Sequence, residues 1–561
     1  MQSHQEHGES EEADYSILPM DVILEIYSFL TLKKKQFETL QSNANLLHIL
    51  FGYKNWDSNR LIYFLYKHFH IKSKLEIDNY LINSIFKLAT GIKIEQFQIR
   101  DENCLALEKN QQLKRFVYTG SQKHFNSNMC ESLSHCKSLR FLKLNTVYDT
   151  SFKILFNTLP KLRFLYVSTG FQTQNLVDFN FDGIVYEDSE LRQIVLSSIY
   201  GFSDEHQLCN LFKFPKLVIL YLENQNITKE SFKFAYLNCK ELCFDKCYKL
   251  TDVGANALSK TNCPNLETLK LSACSIRSQG LKSLFHPNNA QLLNQLKYLE
   301  MSKNLMVGTA LQNLKNFQFD NLETVDFNYC SNLSDVGVKT LVKSICKTVK
   351  ILKLNQCGIT FDGFSYILEN CSKLHKLQLV SNAITFPNVG DDNYITIDPS
   401  RYENLKLIKL EDNKITNIDW LLEHLPKKLD FLNLSANPIG NQEAKRIIAH
   451  PCEITYLTLE KCNLTDEFIL ETKLSQEQIP CLQAFRVIGN DFTDDAIQKL
   501  IEQQPQLTRL FLSGNARLTN KTIDTIVNSK LELQVLWLEK CPLISKEKQK
   551  ECSAKYDIVR F

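Results

Sequence analysis

One stretch of the sequence, residues 322–346, limits most strongly what the chain can fold into. Leu322, Val325 and Phe327 are apolar among polar neighbours, which predicts a very short strand. A turn follows, Ser334 and Asp335 offer a helix N-cap, and apolar residues then recur at helical spacing. One strand and one helix in about 25 residues cannot bury both apolar faces alone, so the unit predicts copies stacked against it.

Copies of this unit recur along the chain. About eighteen segments share the pattern L-x-x-L-x-L-x-x-(N or C)-x-(L or I), about 26 residues apart on average, as in leucine-rich repeats. They begin at Ile94, Leu113, Leu139, Leu162, Leu191, Leu217, Cys239, Leu266, Leu296, Leu322, Val349, Leu374, Leu405, Leu429, Ile454, Leu482, Leu507 and Leu533. The array predicts an α/β fold: a leucine-rich-repeat solenoid (horseshoe) with a parallel concave sheet and convex helices, preceded by a small all-α N-terminal module.

The composition argues against several classes of partner and location. The chain has 561 residues and a formal net charge of +2, which gives no reason to expect nucleic acid or an anionic membrane as a partner. No apolar run is long enough to span a bilayer, and the polar, acidic first residues predict no signal peptide. The 18 cysteines are therefore expected to be reduced, in the cytoplasm or the nucleus.

Many of these cysteines occupy one position of the repeat, the turn that follows the strand. They are Cys247, Cys274, Cys330, Cys357, Cys462 and Cys541, and other repeats place Asn304, Asn382, Asn413, Asn437, Asn490 and Asn515 there. We expect both sets to point inward and to bond loop backbone groups that need partners. This placement predicts ladder residues rather than disulfides.

A short amphipathic helix is predicted near the N-terminus. Pro19 marks a helix start, and Ile23, Ile26 and Leu30 form an apolar stripe. One interpretation is a plain helical cap on the open end of the solenoid. Two connections, residues 171–190 and 385–404, are longer than the repeat needs; they are either surface loops or additions to a binding face.

The same N-terminal stretch resembles the start of an F-box, which has Leu-Pro followed by apolar residues at helical spacing. The matching positions are Leu18, Pro19, Val22, Ile23, Ile26, Phe29 and Leu30. Trp56 stands where an F-box closes, but the basic segment expected before it is missing. Residues 250–254 and 333–337 resemble the cysteine-containing leucine-rich subtype, and residues 429–440 resemble the ribonuclease-inhibitor subtype.

These observations divide the chain into five predicted segments. They are a disordered acidic tail at 1–14, an F-box-like helical module at 15–57, a helical linker or N-terminal cap at 58–92, the repeat array at 93–544 and a C-terminal cap or tail at 545–561. The resemblance to the F-box and leucine-rich-repeat family implies that the module docks onto the Skp-type subunit of a cullin-RING ubiquitin ligase.

No catalytic motif was found in the sequence, so we expect no enzyme activity and no cofactor. The best metal candidates are Cys239, Cys243 and Cys247. The repeat register places Cys239 and Cys247 in the core and Cys243 on the concave face, which argues against a shared metal ion.

Function is expected on the concave face of the sheet. Arg486, Phe511 and Trp537 fall at the same exposed position of three successive strands, and Tyr456 lies close by. Exposed aromatic residues with arginine are typical of binding hot spots, although the C-terminal tail folding over Trp537 is an alternative.

A weaker cluster includes Tyr166 and Tyr221 with Phe141 and Phe164. The residues and the resemblance together predict a non-catalytic adaptor that holds a protein substrate. The alternative is a stand-alone repeat scaffold, either an inhibitor or a GTPase-activator-like binder.

Overall fold

A computed structural model of the chain describes residues 91–94, 101–119, 127–145, 153–168, 184, 186–198, 210–232, 237–305, 308–315, 317–472, 481–556 and 558–561. The predicted tail at 1–14, the F-box-like module at 15–57, nearly all of 58–92 and much of the connection at 171–190 lie outside these residues. The chain divides into two compact units, Met1–Phe202 with Lys213–Leu217, and Ser203–Phe212 with Val218–Phe561.

The first unit contains parallel strands that pair in chain order. They are β1 (Gly91–Ile94), β2 (Arg115–Tyr118), β3 (Phe141–Leu144), β4 (Phe164–Ser168) and β5 (Gln193–Ser197). The described helices between them are α1 (Asp101–Glu108), α2 (Ser127–Ser134) and α3 (Lys153–Thr158). Each helix packs on the next, because every repeat buries its apolar helix stripe against its neighbour.

The second unit contains the longer parallel sheet, again paired in chain order. Its strands are β6 (Ile219–Glu223), β7 (Glu241–Asp245), β8 (Thr268–Ser272), β9 (Tyr298–Glu300), β10 (Thr324–Asp326), β11 (Ile351–Lys353), β12 (Lys376–Gln378), β13 (Leu407–Lys409), β14 (Lys428–Asn433), β15 (Glu453–Thr458), β16 (Ala484–Arg486), β17 (Arg509–Phe511), β18 (Val535–Trp537) and β19 (Val559–Arg560).

Helices or 3-10 turns connect most of these strands. The helices are α4 (Thr251–Ser259), α5 (Ser278–Leu284), α6 (Ala290–Gln295), α7 (Ser334–Ile345), α8 (Phe361–Asn370), α9 (Asp419–Glu423), α10 (Gly440–Ala449), α11 (Asp466–Leu470), α12 (Asp494–Gln503), α13 (Asn520–Asn528) and α14 (Lys546–Lys555). The 3-10 turns are Lys229–Phe232, Pro287–Asn289, Gly308–Leu314 and Pro399–Tyr402.

The leucines of the repeat pattern form the core, as predicted. Leu269 is 2% exposed, and Leu271, Leu352 and Leu354 are fully buried. Since side chains alternate along a strand, the residues between these leucines lie on the opposite face of the sheet. The predicted leucine-rich-repeat fold class is confirmed by this parallel strand-and-helix architecture.

The predicted Cys and Asn ladder is also confirmed. The Cys357 thiol donates to the carbonyl of Phe327 in the preceding repeat, at 3.0 Å. The side chain of Asn437 does more: its Nδ2 donates to the Leu410 carbonyl at 2.8 Å, and its Oδ1 accepts from the Asn413 amide at 3.0 Å. Each ladder residue thus links its own turn to the turn before it.

The expected N-cap at Ser334 and Asp335 is wrong. Helix α7 begins after Leu333, which makes no side-chain cap bond. The Asp335 carboxylate instead accepts from the amide and the hydroxyl of Thr360, at 3.0 and 2.7 Å, and Thr360 caps α8. The cap therefore acts across the repeat boundary, where the stacked helix N-termini bring the carboxylate within reach.

The long connection at 385–404 joins the core beside the helices. Phe386 is 7% exposed and stacks on Trp420 of α9 at 5.7 Å between ring centroids. The same ring packs against Phe364 of α8 at 5.8 Å. The connection therefore replaces the missing helix of its repeat and supplies apolar contacts in its place.

Candidate protein-binding surface

The strand register fixes which side chains line the open face of the sheet. In the first unit, Tyr166 pairs with Lys143 on one side and Val195 on the other. The Lys143 ammonium lies 4.4 Å from the centre of the Tyr166 ring. On the same strands, Phe141 and Phe164 are stacked with centroids 4.1 Å apart. The first unit thus carries a small aromatic group with a cation over it.

In the second unit, one row of side chains runs across all its strands. The row contains Tyr221, Cys243, Lys270, Glu300, Asp326, Lys353, Gln378, Lys409, Asn433, Thr458, Arg486, Phe511, Trp537 and Arg560. Tyr221 belongs to this unit, whereas Tyr166 belongs to the first. Burial raises the pKa of the Tyr221 phenol, and the carboxylates of Asp245 and Glu223 raise it further.

Cys243 lies in this row but is only 5% exposed. Burial raises the pKa of its thiol to about 11, so the thiol is neutral at physiological pH. Cys239 and Cys247 are buried in the core, as the register predicts. Among the described residues, no group of three His, Cys, Asp or Glu side chains is placed to hold a metal ion.

Four rings form a continuous series across β14 to β18, and we call them the aromatic ladder: Phe431, Tyr456, Phe511 and Trp537. Phe431 meets Tyr456 edge-on at 4.9 Å, and Tyr456 stacks on Phe511 at 6.0 Å. Phe511 then meets Trp537 edge-on at 4.9 Å. These separations and tilts are those that aromatic pairs prefer, so the ladder is a preorganised surface.

Phe511 is less accessible than the sequence suggests. Alternation along the strand predicts an exposed ring, but Phe511 is 5% exposed. Tyr456 and Trp537 pack on it, and the Arg486 guanidinium lies 5.1 Å from its centre. Phe511 is therefore covered by its neighbours, whereas Phe431, Tyr456 and Trp537 are half-buried and leave part of their surface accessible to a partner.

Arginines surround the Trp537 end of the ladder. The Arg486 guanidinium lies 5.0 Å from the Trp537 ring centre and forms an ion pair with Glu460. On the other side, the Arg560 guanidinium lies 4.4 Å from the same ring centre. Arg509 is exposed on the strand between them. Cation–π contacts of this kind hold the guanidinium groups in place while leaving their N–H groups able to donate.

The C-terminal tail ends the sheet and covers only part of Trp537. Its helix α14 packs on α13, and its strand β19 pairs with β18, which sets Arg560 beside Trp537. Trp537 remains half-buried. The tail therefore pairs along the last strand edge, and of its residues Arg560 lies over the Trp537 ring.

Charge is distributed unevenly along the open face. We compare the third, fifth and seventh residues of each repeat pattern, which face this side. On β6–β10 they include one cation, Lys270, and the carboxylates of Glu223, Glu241, Asp245, Glu300 and Asp326. On β11–β18 these positions include the carboxylates of Glu411, Glu460 and Glu539 and the cations of Lys353, Lys376, Lys409, Arg486 and Arg509. Arg560 on β19 adds a further cation.

The carboxylates in the middle of the acidic half already have partners. Ser272 donates its hydroxyl to Glu300 at 2.6 Å, and Ser302 donates to Asp326 at 2.7 Å. Lys353 also lies 3.2 Å from Asp326. By contrast, Lys409, Arg509 and Arg560 form no ion pair with any described residue. These three cations lie beside the aromatic ladder, whereas Lys270 on β8 and Lys376 on β12, which also form no ion pair with a described residue, lie elsewhere on the face.

The sequence patterns did not predict two residues of this surface, Phe431 and Arg560. Phe431 lies two residues before the predicted row position in its strand, and the alternation pattern would have placed it on the same face. Arg560 lies in a strand too short to show any repeat pattern. Within the described part of the chain, no helix has both the length and the apolar character needed to cross a bilayer.

The sequence of this chain has limited similarity to those of known proteins. No protein-family model matches the sequence. A protein described as a probable inactive serine/threonine-protein kinase, roco10 of Dictyostelium discoideum, is 25% identical over 167 residues, which is 29% of this chain. The chain covers 6% of the length of that relative.

Solved structures with a similar architecture include the TLR13–ssRNA13 complex (TM-score 0.46, 19% identity, 80% of this chain and 65% of that chain). Another is the mouse RP105/MD-1 complex (TM-score 0.47, 14% identity, 84% and 71%). A third is the leucine-rich-repeat ectodomain of the receptor kinase GASSHO1/SCHENGEN3 from Arabidopsis thaliana (TM-score 0.34, 15% identity, 80% and 57%). By its own topology, the present chain has a leucine-rich-repeat fold.

Proposed function

We propose that this chain is a non-catalytic scaffold that holds a protein partner on the open face of its sheet, at the aromatic ladder. The observation that carries the proposal is the half-buried set of Phe431, Tyr456 and Trp537, in which Tyr456 and Trp537 pack on buried Phe511, with arginines beside them. Preorganised aromatic residues with arginine supply most of the binding free energy in many protein interfaces.

The test is affinity capture by the full chain from a cell extract, with partners identified by mass spectrometry. Tyr456→Ala with Trp537→Ala should remove proteins that the wild type retains, because both rings lose their exposed surface. The matched control is Tyr248→Ala, which removes an aromatic ring that is 57% exposed in a turn. Retention of every partner by a folded ladder variant would contradict the proposal.

We further propose that the partner is a substrate of a cullin-RING ubiquitin ligase and that the N-terminal module docks onto its Skp-type subunit. The support is the F-box resemblance of Leu18, Pro19, Ile23, Ile26, Phe29 and Leu30, which lie outside the described residues. This assignment includes a cytoplasmic or nuclear location, and no bond-making residue comes from this chain. The alternative is a stand-alone scaffold, inhibitor or GTPase-activator-like binder.

Co-purification separates these two proposals. Leu18→Ala with Pro19→Ala should abolish association with a purified Skp-type subunit, since it removes the apolar start of the helix. The control is Lys33→Ala with Lys34→Ala, two neighbouring positions outside the F-box pattern. If the wild-type chain fails to associate, or if both variants associate equally, the ligase role is excluded and the stand-alone scaffold is favoured.

A further inference from the structure

We infer that the partner segment at the aromatic ladder is an acidic peptide with one or two aromatic or aliphatic anchor residues. This inference rests on the proposed binding function and adds the chemical class of the partner. Three observations carry it: a packed apolar surface, cations without ion-pair partners beside it, and an excess of carboxylates over cations on β6–β10 of the same face.

The anchor site is the half-buried surface of Tyr456 and Trp537. Both rings rest on Phe511, which is itself 5% exposed. Because the rings are already packed, an anchor residue that settles on them costs little side-chain entropy in the scaffold.

The charge requirement follows from the cations around these rings. Arg509 on β17 and Arg560 on β19 lie on the two sides of β18, and neither forms an ion pair with a described residue. The Lys409 ammonium lies 5.6 Å from the centre of the Phe431 ring. Carboxylates on a peptide would pair with these cations. On β6–β10 the carboxylates outnumber the cations, although Lys246 pairs with Glu223 and Asp245. An acidic peptide is therefore attracted less to these strands than to the ladder.

The dimensions suit a short segment. From β14 to β19 the face spans five strand spacings, or about 24 Å, which an extended peptide of about seven residues covers. A single-stranded RNA could also stack on aromatic rings with arginine. Glu411, Glu460 and Glu539 lie on the same face among the cations and interrupt a continuous phosphate track, so a peptide with separated charges fits better.

The experiment measures fluorescence anisotropy of labelled peptides, each about nine residues long, on the full chain. The first probe contains glutamates and two phenylalanines. The second has lysines instead of the glutamates, the third has alanines instead of the phenylalanines, and the fourth is a uridine oligomer of the same length. The first probe should bind at least about ten-fold more tightly than the others, and more weakly as salt rises.

Variants locate the site. Arg509→Glu with Arg560→Glu should weaken the first probe about ten-fold, because two attractive charges become repulsive. The matched control is Lys546→Glu with Lys550→Glu, which makes the same change in net charge on α14. Trp537→Ala should also weaken the first probe, while circular dichroism checks that each variant is folded.

Equal binding of the lysine probe, equal binding of the alanine probe, or an unchanged affinity in the arginine variant would overturn the inference. Binding of the uridine oligomer alone would overturn it in favour of RNA. These failures are distinct from failure of the proposed function. If captured partners depend on Tyr456 and Trp537 but no acidic probe binds, only the acidic chemistry is wrong.

Discussion

Replacing Asn437 tests how the repeats are joined. Its side chain is fully buried. Its Nδ2 donates to the carbonyls of Leu410 and Leu434, at 2.8 and 2.9 Å. Its Oδ1 accepts from the amides of Asn413 and Ile415, at 3.0 and 3.2 Å. Asn437→Ala therefore leaves these two amides without partners inside the protein, whereas the Leu410 and Leu434 carbonyls keep Asn413 Nδ2 and the Cys462 thiol as donors.

The expected cost follows from these contacts. Each buried polar group left without a hydrogen bond costs about 1–3 kcal/mol, so the loss of two such bonds in Asn437→Ala should lower the free energy of unfolding by roughly 2–6 kcal/mol. Asn437→Cys should cost less, because cysteine fills this position in other repeats and there donates to the preceding repeat. The Cys462 thiol, for example, lies 3.4 Å from the Leu434 carbonyl oxygen.

The assay is urea unfolding of the full chain, together with hydrogen exchange of residues 405–418 by mass spectrometry. The amides of Asn413 and Ile415 should lose protection locally in the alanine variant. The matched control is Asn370→Ala, since Asn370 is exposed at the end of α8. That change should cost less than about 0.5 kcal/mol. Equal losses for Asn437→Ala and Asn370→Ala would refute the ladder argument.

Three further changes have defined outcomes. Gly337→Ala should cost about 1–3 kcal/mol in thermal unfolding, because its Cβ would lie 2.6 Å from Leu333 Cδ1. Burial raises the pKa of the Asp494 carboxyl, but hydrogen bonds from Thr519 and Thr522 bring it below its usual value. The stability that it supplies is present above about pH 4 and is lost as pH falls through the folded pKa, so Asp494→Asn should cost more stability at pH 7 than at pH 3. Burial lowers the pKa of His424. The stability that the neutral imidazole contributes to the folded state is therefore present above about pH 6.5 and falls as the pH decreases. His424→Gln should reduce the loss of unfolding free energy, measured in urea, between pH 7 and pH 5.

The results that would contradict these predictions are equally specific. An unchanged melting temperature for Gly337→Ala would mean that Leu333 moves aside without cost. An equal effect of Asp494→Asn at both pH values would mean that the Thr519 contact stabilises the fold independently of the carboxylate charge. Identical acid sensitivity of the wild type and His424→Gln would assign the acid loss to other groups.

The sequence by itself determined the architecture. Leucines at fixed intervals predict the parallel strands, because only stacked copies of a strand-and-helix unit can bury them. The same spacing predicts the inward ladder of cysteine and asparagine and the row that contains Arg486, Phe511 and Trp537. These features depend on local alternation and on the repeat period, and both can be read from one chain.

Only the tertiary structure decided how side chains of different repeats combine. Alternation places Phe511 on the open face, but its burial depends on Tyr456 and Trp537, which lie on other strands. Likewise, Asp335 reaches Thr360 of the following repeat, and the tail brings Arg560 to Trp537. Such contacts join residues about 25 positions apart or more, and their distances depend on stacking geometry and side-chain conformation rather than on the repeat period.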